Sequence, residues 1–156
     1  MMDVYPVLWN PKEFHPSFGP KLLRVMRSLK ADGWSPKVAS GHRTIEQQAK
    51  LVAEKRSKVL FSFHNATYSD GRPAALAADV IDTRWAWNTP GGIEHAFWLA
   101  LGKAARNERL IWGNDWDDDG IPVGPDPDES FADVAHIQLL PNSFLKRVRN
   151  GWLPEA

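Results

Sequence analysis

Three short stretches of this chain each set a chemically capable side chain beside an apolar run: SGHRTIEQQ from Ser40, SFHN with the following AALAADV, and DVAHIQL from Asp133. A His and an Asp in or near strands, with a second His opening another strand, could converge as three ligands of one zinc and leave a fourth position for water. Such a site lowers the pKa of that water to about 7 and supplies a hydroxide nucleophile at neutral pH. The sequence has no Cys, so thiolate metal sites and disulfides are excluded, and any metal must be held by His, Asp or Glu. No H-E-x-x-H, no G-x-S-x-G and no Gly-rich phosphate loop opening a helix competes with this reading.

The elements that must position these residues follow from periodicity. Leu22, Val25, Met26 and Leu29 stand at helical spacing and stop at Gly33, which predicts a first helix. SPKVAS reads as a short strand. Thr44 and Gln47 have capping-box spacing ahead of a second helix, on which Ile45, Ala49 and Val52 form one apolar face. ALAADVID reads as a short buried strand. In GGIEHAFWLALGKAARNE, the residues Ile93, Phe97, Ala100, Leu101 and Ala104 form the stripe of a third helix. RLIWG and AHIQLL read as strands flanking an acidic, proline-rich stretch, and SFLKRVRNGW as a short closing helix stopped at Gly151. The order helix, strand, helix, strand, helix, strand, strand, helix predicts a small α+β domain, one unit over residues 1–156, with a mostly antiparallel sheet and helices packed on one side.

The motifs together resemble the zinc D-alanyl-D-alanine carboxypeptidase and L-alanyl-D-glutamate endopeptidase family, whose fold is shared with the hedgehog signalling domain. The family pattern S-G-Y-R with a downstream Gln is matched by Ser40-Gly41-His42-Arg43 with Gln48. Its S-x-H-x-x-G-x-A-x-D is matched by Ser62-Phe63-His64 with Ala77-Ala78-Asp79, its W-G-G-D-W by Trp112-Gly113-Asn114-Asp115-Trp116, and its D-x-x-H by Asp133-Val134-Ala135-His136. The resemblance implies that His64, Asp79 and His136 hold zinc, that Asp133 is the general base, and that Arg43 stabilises the oxyanion. It also implies cleavage of peptidoglycan stem peptides. Ser40, His42 and Gln48 are candidate substrate contacts, with Gln48 holding either the substrate or the loop. The chain departs from the pattern in three places: His64 and Asp79 are fifteen apart instead of seven, so NATYSDGRPAAL contains an insertion expected near the mouth of the site; Ala75 replaces a Gly; and His42 stands where the family has Tyr. His15 and His95 read as structural.

The stretch WGNDWDDDG is the densest acidic point of a chain that carries 19 basic and 19 acidic residues. Asp115, Asp117 and Asp119 followed by Gly120, with Asp126 beyond, match the spacing of a calcium loop, in which alternate carboxylates face a hard cation. A solvated acidic turn is the other reading, because Pro122 and flanking strands depart from that loop's usual context.

With a formal net charge of +0, the chain has no global pull toward nucleic acid or anionic lipid. Its first residues carry no basic segment followed by an apolar one, and no run approaches a membrane span. The expected protein is thus a monomer without membrane insertion, made in the bacterial host cytoplasm and acting on peptidoglycan after release, as a phage endolysin does. L-alanyl-D-glutamate endopeptidase activity is the leading expectation. D-alanyl-D-alanine carboxypeptidase activity and a non-catalytic wall-binding module on the same fold are the alternatives.

Overall fold

The computed structural model describes residues 10–55, 61–116 and 133–156. Helix α1, Gly19–Ala31, buries Leu22, Val25, Met26 and Leu29 at the anticipated spacing. It ends in a Schellman motif: Gly33, at φ +92°, donates to Lys30 O, and Trp34 donates to Leu29 O. The left-handed turn, which glycine adopts without strain, sends the chain straight into β1, Pro36–Ser40.

Strands β1, β2 (Ala77–Asp82), β3 (Ile111–Trp112) and β4 (His136–Gln138) form one four-stranded sheet in the order β1-β2-β4-β3. All three pairings are antiparallel. Period-2 alternation divides its faces. Ala78, Val80 and Ile137 join the core formed with α1 and with α3, Ala96–Asn107, which contributes Phe97, Trp98 and Leu101. Asp79, His136 and Gln138 alternate to the other face. A smaller cluster lies apart from the main core, where Phe63, Leu76 and Ala77 meet Val148 of α4, Leu145–Arg149. The two long helices therefore share one core, and the short closing helix belongs to a second.

Two apolar faces differ from expectation. Helix α2, Ile45–Ala53, forms behind the Thr44–Gln47 capping box, with Gln47 N donating to Thr44 Oγ1 at 3.1 Å and Thr44 N to Gln47 Oε1 at 2.9 Å. Ile45 is nevertheless 53% exposed and Ala49 is exposed, while Gln48 is the helix's buried residue. The helix is anchored by a polar contact of Gln48, described below, instead of by an apolar stripe. Ile93 likewise lies outside α3, 47% exposed in the 3-10 turn Gly92–Glu94. His95 Nδ1 accepts from Phe97 N at 3.0 Å and so caps the helix two residues later.

Candidate metal centre

Pairing register brings the expected residues together. Asp79 lies opposite His136 in the β2–β4 ladder and opposite Ser40 in the β1–β2 ladder. A register irregularity between Val38 and Ser40 marks the end of β1 at the edge of the site, where bulges commonly re-aim side chains. His64 arrives from outside the sheet, on the 3-10 turn Phe63–Asn65, which has its own capping box between Ser62 and Asn65. Asn65 Nδ2 donates to the carbonyls of Arg43 and Thr44, tying this turn to the loop after β1.

One nitrogen of each imidazole is committed to an outer partner, which leaves the other facing inward. His64 Nδ1 lies 2.7 Å from Gly41 O, so it carries the proton and donates, and Nε2 keeps its lone pair. His136 Nε2 lies 2.7 Å from Gln138 Oε1. The Gln138 amide is itself oriented by donating from its nitrogen to Leu140 O and Asn142 Oδ1, so its oxygen accepts from His136 and Nδ1 is free to coordinate. Asp79 Oδ1 stands 3.4 Å from His64 Nε2 and 3.3 Å from His136 Nδ1. These three atoms lie within 4.8 Å of one another, and all three residues are buried. His64 Nε2 and Asp79 Oδ1 have no hydrogen-bond partner among the described residues. Buried polar atoms left in that state are costly, and a cation between them removes the cost. The His64-Asp79-His136 cluster could therefore hold a metal ion.

Asp79 is the negative centre that both imidazoles face. Burial pushes the Asp79 carboxyl up, but the two imidazoles outweigh it and hold Asp79 well below the usual carboxylate range. Burial lowers His136, and Asp79, Asp133 and Gln138 together bring it above the ordinary imidazole value.

Arg43 spans the site as a fork. Its Nε donates to Ser40 Oγ at 3.1 Å, Nη1 to Gln48 Oε1 at 2.9 Å and Nη2 to Asp79 Oδ2 at 3.0 Å. Its backbone N–H donates to His64 O. Ser40 and the fully buried Gln48 are thus partners of the guanidinium, placed to hold it. His42 is half-buried, its backbone N–H donating to Glu13 Oε1 at 3.0 Å, and burial keeps its ring below the ordinary imidazole value although Glu13 opposes the shift.

Asp133 stands at the solvent-exposed rim, immediately before the turn into β4. Partial loss of hydration pushes its carboxyl up, His136 pulls it down, Asp79 adds to the rise, and His64 and Arg43 oppose it. The carboxyl therefore shares the field of the cluster. Its backbone is fixed by the stretch after β3: Asp133 N donates to Gly113 O at 2.8 Å and Gly113 N to His136 O at 2.7 Å. A Cβ at Gly113 would come within 2.2 Å of Asp133 O. Trp112 Nε1 donates to Val134 O, and the Trp116 ring lies 5.5 Å from that of His136. The W-G-N-D-W stretch is in this way a brace for the D-x-x-H segment.

Of the acidic loop, Asp117, Asp119 and Asp126 lie outside the described residues. Asp115 is buried, with its Oδ2 3.4 Å from Arg106 Nη1. His15 is buried, and its Nδ1 accepts from Ser17 N at 3.0 Å, a structural role like the cap formed by His95. The insertion after His64 forms a small hairpin: Thr67 pairs with Pro73, Tyr68 N donates to Arg72 O, and the Arg72 guanidinium lies 4.7 Å from the Tyr68 ring. Gln138, Glu13 and Asn65 were not anticipated from the sequence; only the period-2 spacing of Gln138 after His136 on one strand face could have signalled its role.

No model of a known protein family matches the sequence, and no curated protein matches it. Solved structures do match. The L-Ala D-Glu endopeptidase ChiX of Serratia marcescens aligns with a TM-score of 0.50 at 23% identity, over 84% of this chain and 84% of that one. VanYB in complex with D-Alanine-D-Alanine aligns with a TM-score of 0.50 at 18% identity, over 84% of this chain and 74% of that one. The LdcB LD-carboxypeptidase, whose structure addresses peptidoglycan recognition, aligns with a TM-score of 0.53 at 20% identity, over 89% of this chain and 72% of that one. The chain has the fold of these peptidases.

Proposed function

We propose that this protein is a zinc-dependent peptidase that hydrolyses an amide bond in the peptidoglycan stem peptide, between L-alanine and D-glutamate, and that it serves as a phage endolysin. The observation that carries the reading is the convergence of His64 Nε2, Asp79 Oδ1 and His136 Nδ1. The two separations from Asp79, 3.3 and 3.4 Å, approach the ~3.3 Å spacing of neighbouring ligand atoms around an ion bound at about 2.0–2.1 Å, and the third lies within 4.8 Å. Two nitrogens and one oxygen, each buried and each supported from behind, suit zinc better than a hard cation that needs six or more oxygens. The fold, shared with an L-Ala D-Glu endopeptidase and with carboxypeptidases alike, supports a peptidoglycan peptidase as the class.

A zinc ion in this position supplies Lewis acidity toward a carbonyl and acidifies water to a pKa near 7. The rest of the work falls to the chain. Asp133, at the open rim, accepts the proton of the attacking water and delivers it to the departing amine. Arg43 has committed three N–H groups to Ser40, Gln48 and Asp79, and the remaining N–H groups of its fork are available to the developing oxyanion. Ser40 and Gln48 keep that fork in register. Calcium bound through Asp115, Asp117, Asp119 and Asp126 would act on the same site by ordering the approach to Asp133, and a calcium titration of hydrolysis that stays flat removes this addition.

Two variants test the proposal together. Asp133→Ala should retain zinc and fold and lose wall hydrolysis, and full activity would overturn the assigned mechanism. His136→Ala should lose zinc by elemental analysis, and an unchanged stoichiometry would show that the ligand set is wrong. A non-catalytic wall-binding module would bind the wall equally well with or without Asp133 and release no fragments.

A further inference from the structure

A groove of about 350 Å³ opens beside Arg43 and His42. Thr67 and Gly71 of the inserted hairpin form one wall, Phe61 lies along it, and Arg149 of α4 stands at its margin. Among the described residues no Asp or Glu lines it. The larger groove that shares His42 and Arg43, about 590 Å³, is mixed in charge: Glu13 and Glu54 line it together with Arg43 and Lys50. Of the two grooves, only the first has a lining in which cations stand without acids among the described residues.

Within the first groove the basic groups are not equivalent. Arg43 is paired with Asp79, so its charge is locally balanced. On α4, Arg147 is laid over aromatic rings, 5.2 Å from the centre of Phe144 and 4.6 Å from that of Trp152. Arg149, two residues on, is exposed and makes no hydrogen bond or ion pair among the described residues. Among the described residues it is the uncompensated cation of a concave surface without acids, an arrangement that focuses field on an anion. A guanidinium presents paired N–H groups that match a carboxylate in two-point fashion. The hairpin wall is held by its own contacts, the Thr67–Pro73 pairing and the Tyr68–Arg72 hydrogen bond.

We infer that this groove is a subsite for a free carboxylate of the substrate peptide, close to the scissile bond, and that Arg149 recognises it. The inference rests on the peptidase reading above and extends it: the substrate is an acidic stem peptide, and the same peptide with that carboxylate amidated is discriminated against.

The test uses two synthetic peptides, L-alanyl-γ-D-glutamyl-L-lysine with the glutamyl α-carboxylate free or amidated, and the full chain as wild type, Arg149→Ala and Arg149→Lys. Wild type should favour the acid by about tenfold in kcat/KM, the discrimination expected of one charge-assisted pair. Arg149→Ala should bring the ratio to about one, and Arg149→Lys should retain part of it. Melting of each variant, followed by circular dichroism, identifies any loss of fold, in which case the lysine variant decides. Equal use of both peptides by wild type, or a preference that survives in Arg149→Ala, overturns the inference. If wild type cuts neither peptide, the peptidase reading fails, and calorimetric binding of the same peptides then decides the subsite alone: an acid preference lost with Arg149 upholds it, and equal binding or none overturns it.

Discussion

Gln138 Oε1 lies 2.7 Å from His136 Nε2, and the two residues sit two apart on the same face of β4. The amide cannot turn over without losing Leu140 O and Asn142 Oδ1, so it fixes which imidazole nitrogen carries the proton. Second partners of this type are commonly worth 10–100-fold in metal affinity. Gln138→Met, similar in shape and without the acceptor, should weaken zinc binding by about that factor with the fold retained, as read by competition with a chromophoric chelator. An unchanged affinity would show that the ring is oriented by packing alone.

Gly113 is a second support. A methyl group there meets Asp133 O at 2.2 Å, in a place where the two segments are tied together by the Asp133 N–Gly113 O and Gly113 N–His136 O hydrogen bonds. Gly113→Ala should cost about 1–3 kcal/mol, the usual penalty of overpacking a tight site, and should displace Asp133 relative to His136. Denaturant unfolding measures the first effect. Hydrolytic activity lost more steeply than stability measures the second.

Arg43 is predicted to be intolerant of lysine. An ammonium keeps the charge but cannot reach Ser40, Gln48 and Asp79 in one plane while facing an oxyanion. Arg43→Lys should lower kcat by about a hundredfold, the scale of one lost oxyanion donor, with zinc content unchanged. Steady-state kinetics with metal analysis on the same sample checks both.

The eight-element order and the three cluster residues were legible because their signals are local. Heptad-like spacing in α1, the Thr44–Gln47 box and the buried run of β2 each reflect a short-range rule that the structure obeys. His64, Asp79 and His136 could be picked out because ordered motifs bracket each of them. What escaped depends on tertiary placement. Ile45, Ala49 and Val52 make a sound helical stripe, yet nothing covers Ile45 and Ala49 among the described residues, because Gln48 is drawn inward by Arg43. Glu13 is invisible for a similar reason: it reaches the site through a bridge between Phe14 and Ala75, residues far apart in sequence. The acidic loop remains with three of its four aspartates outside the described residues, while Asp115 is paired with Arg106.

Asp82, at the far end of β2 from the cluster, predicts an acid limb in stability. Arg84 holds its carboxyl down to about 2, helped by the Ser35 and Arg84 backbone N–H groups against the opposing effect of burial. A folded pKa depressed below the ordinary value of about 3.9 contributes stability that is fully present above that value and is lost as pH falls toward 2. Because Arg84 is about half exposed, solvent screening reduces the contribution to about 1 kcal/mol. Unfolding of wild type and Asp82→Asn between pH 6 and pH 2 should converge at the acid end, and curves that stay parallel would contradict the assignment.

The most direct test of the proposed function is the identity of the cleaved bond together with its dependence on metal. Purified peptidoglycan digested by the protein and analysed by mass spectrometry should yield glycan fragments that keep only L-alanine together with released peptides that begin at D-glutamate. Chelator should abolish both products and added zinc should restore them. Products with a different terminus would contradict the assigned bond, and the same fragments in the presence of chelator would contradict the metal centre built from His64, Asp79 and His136.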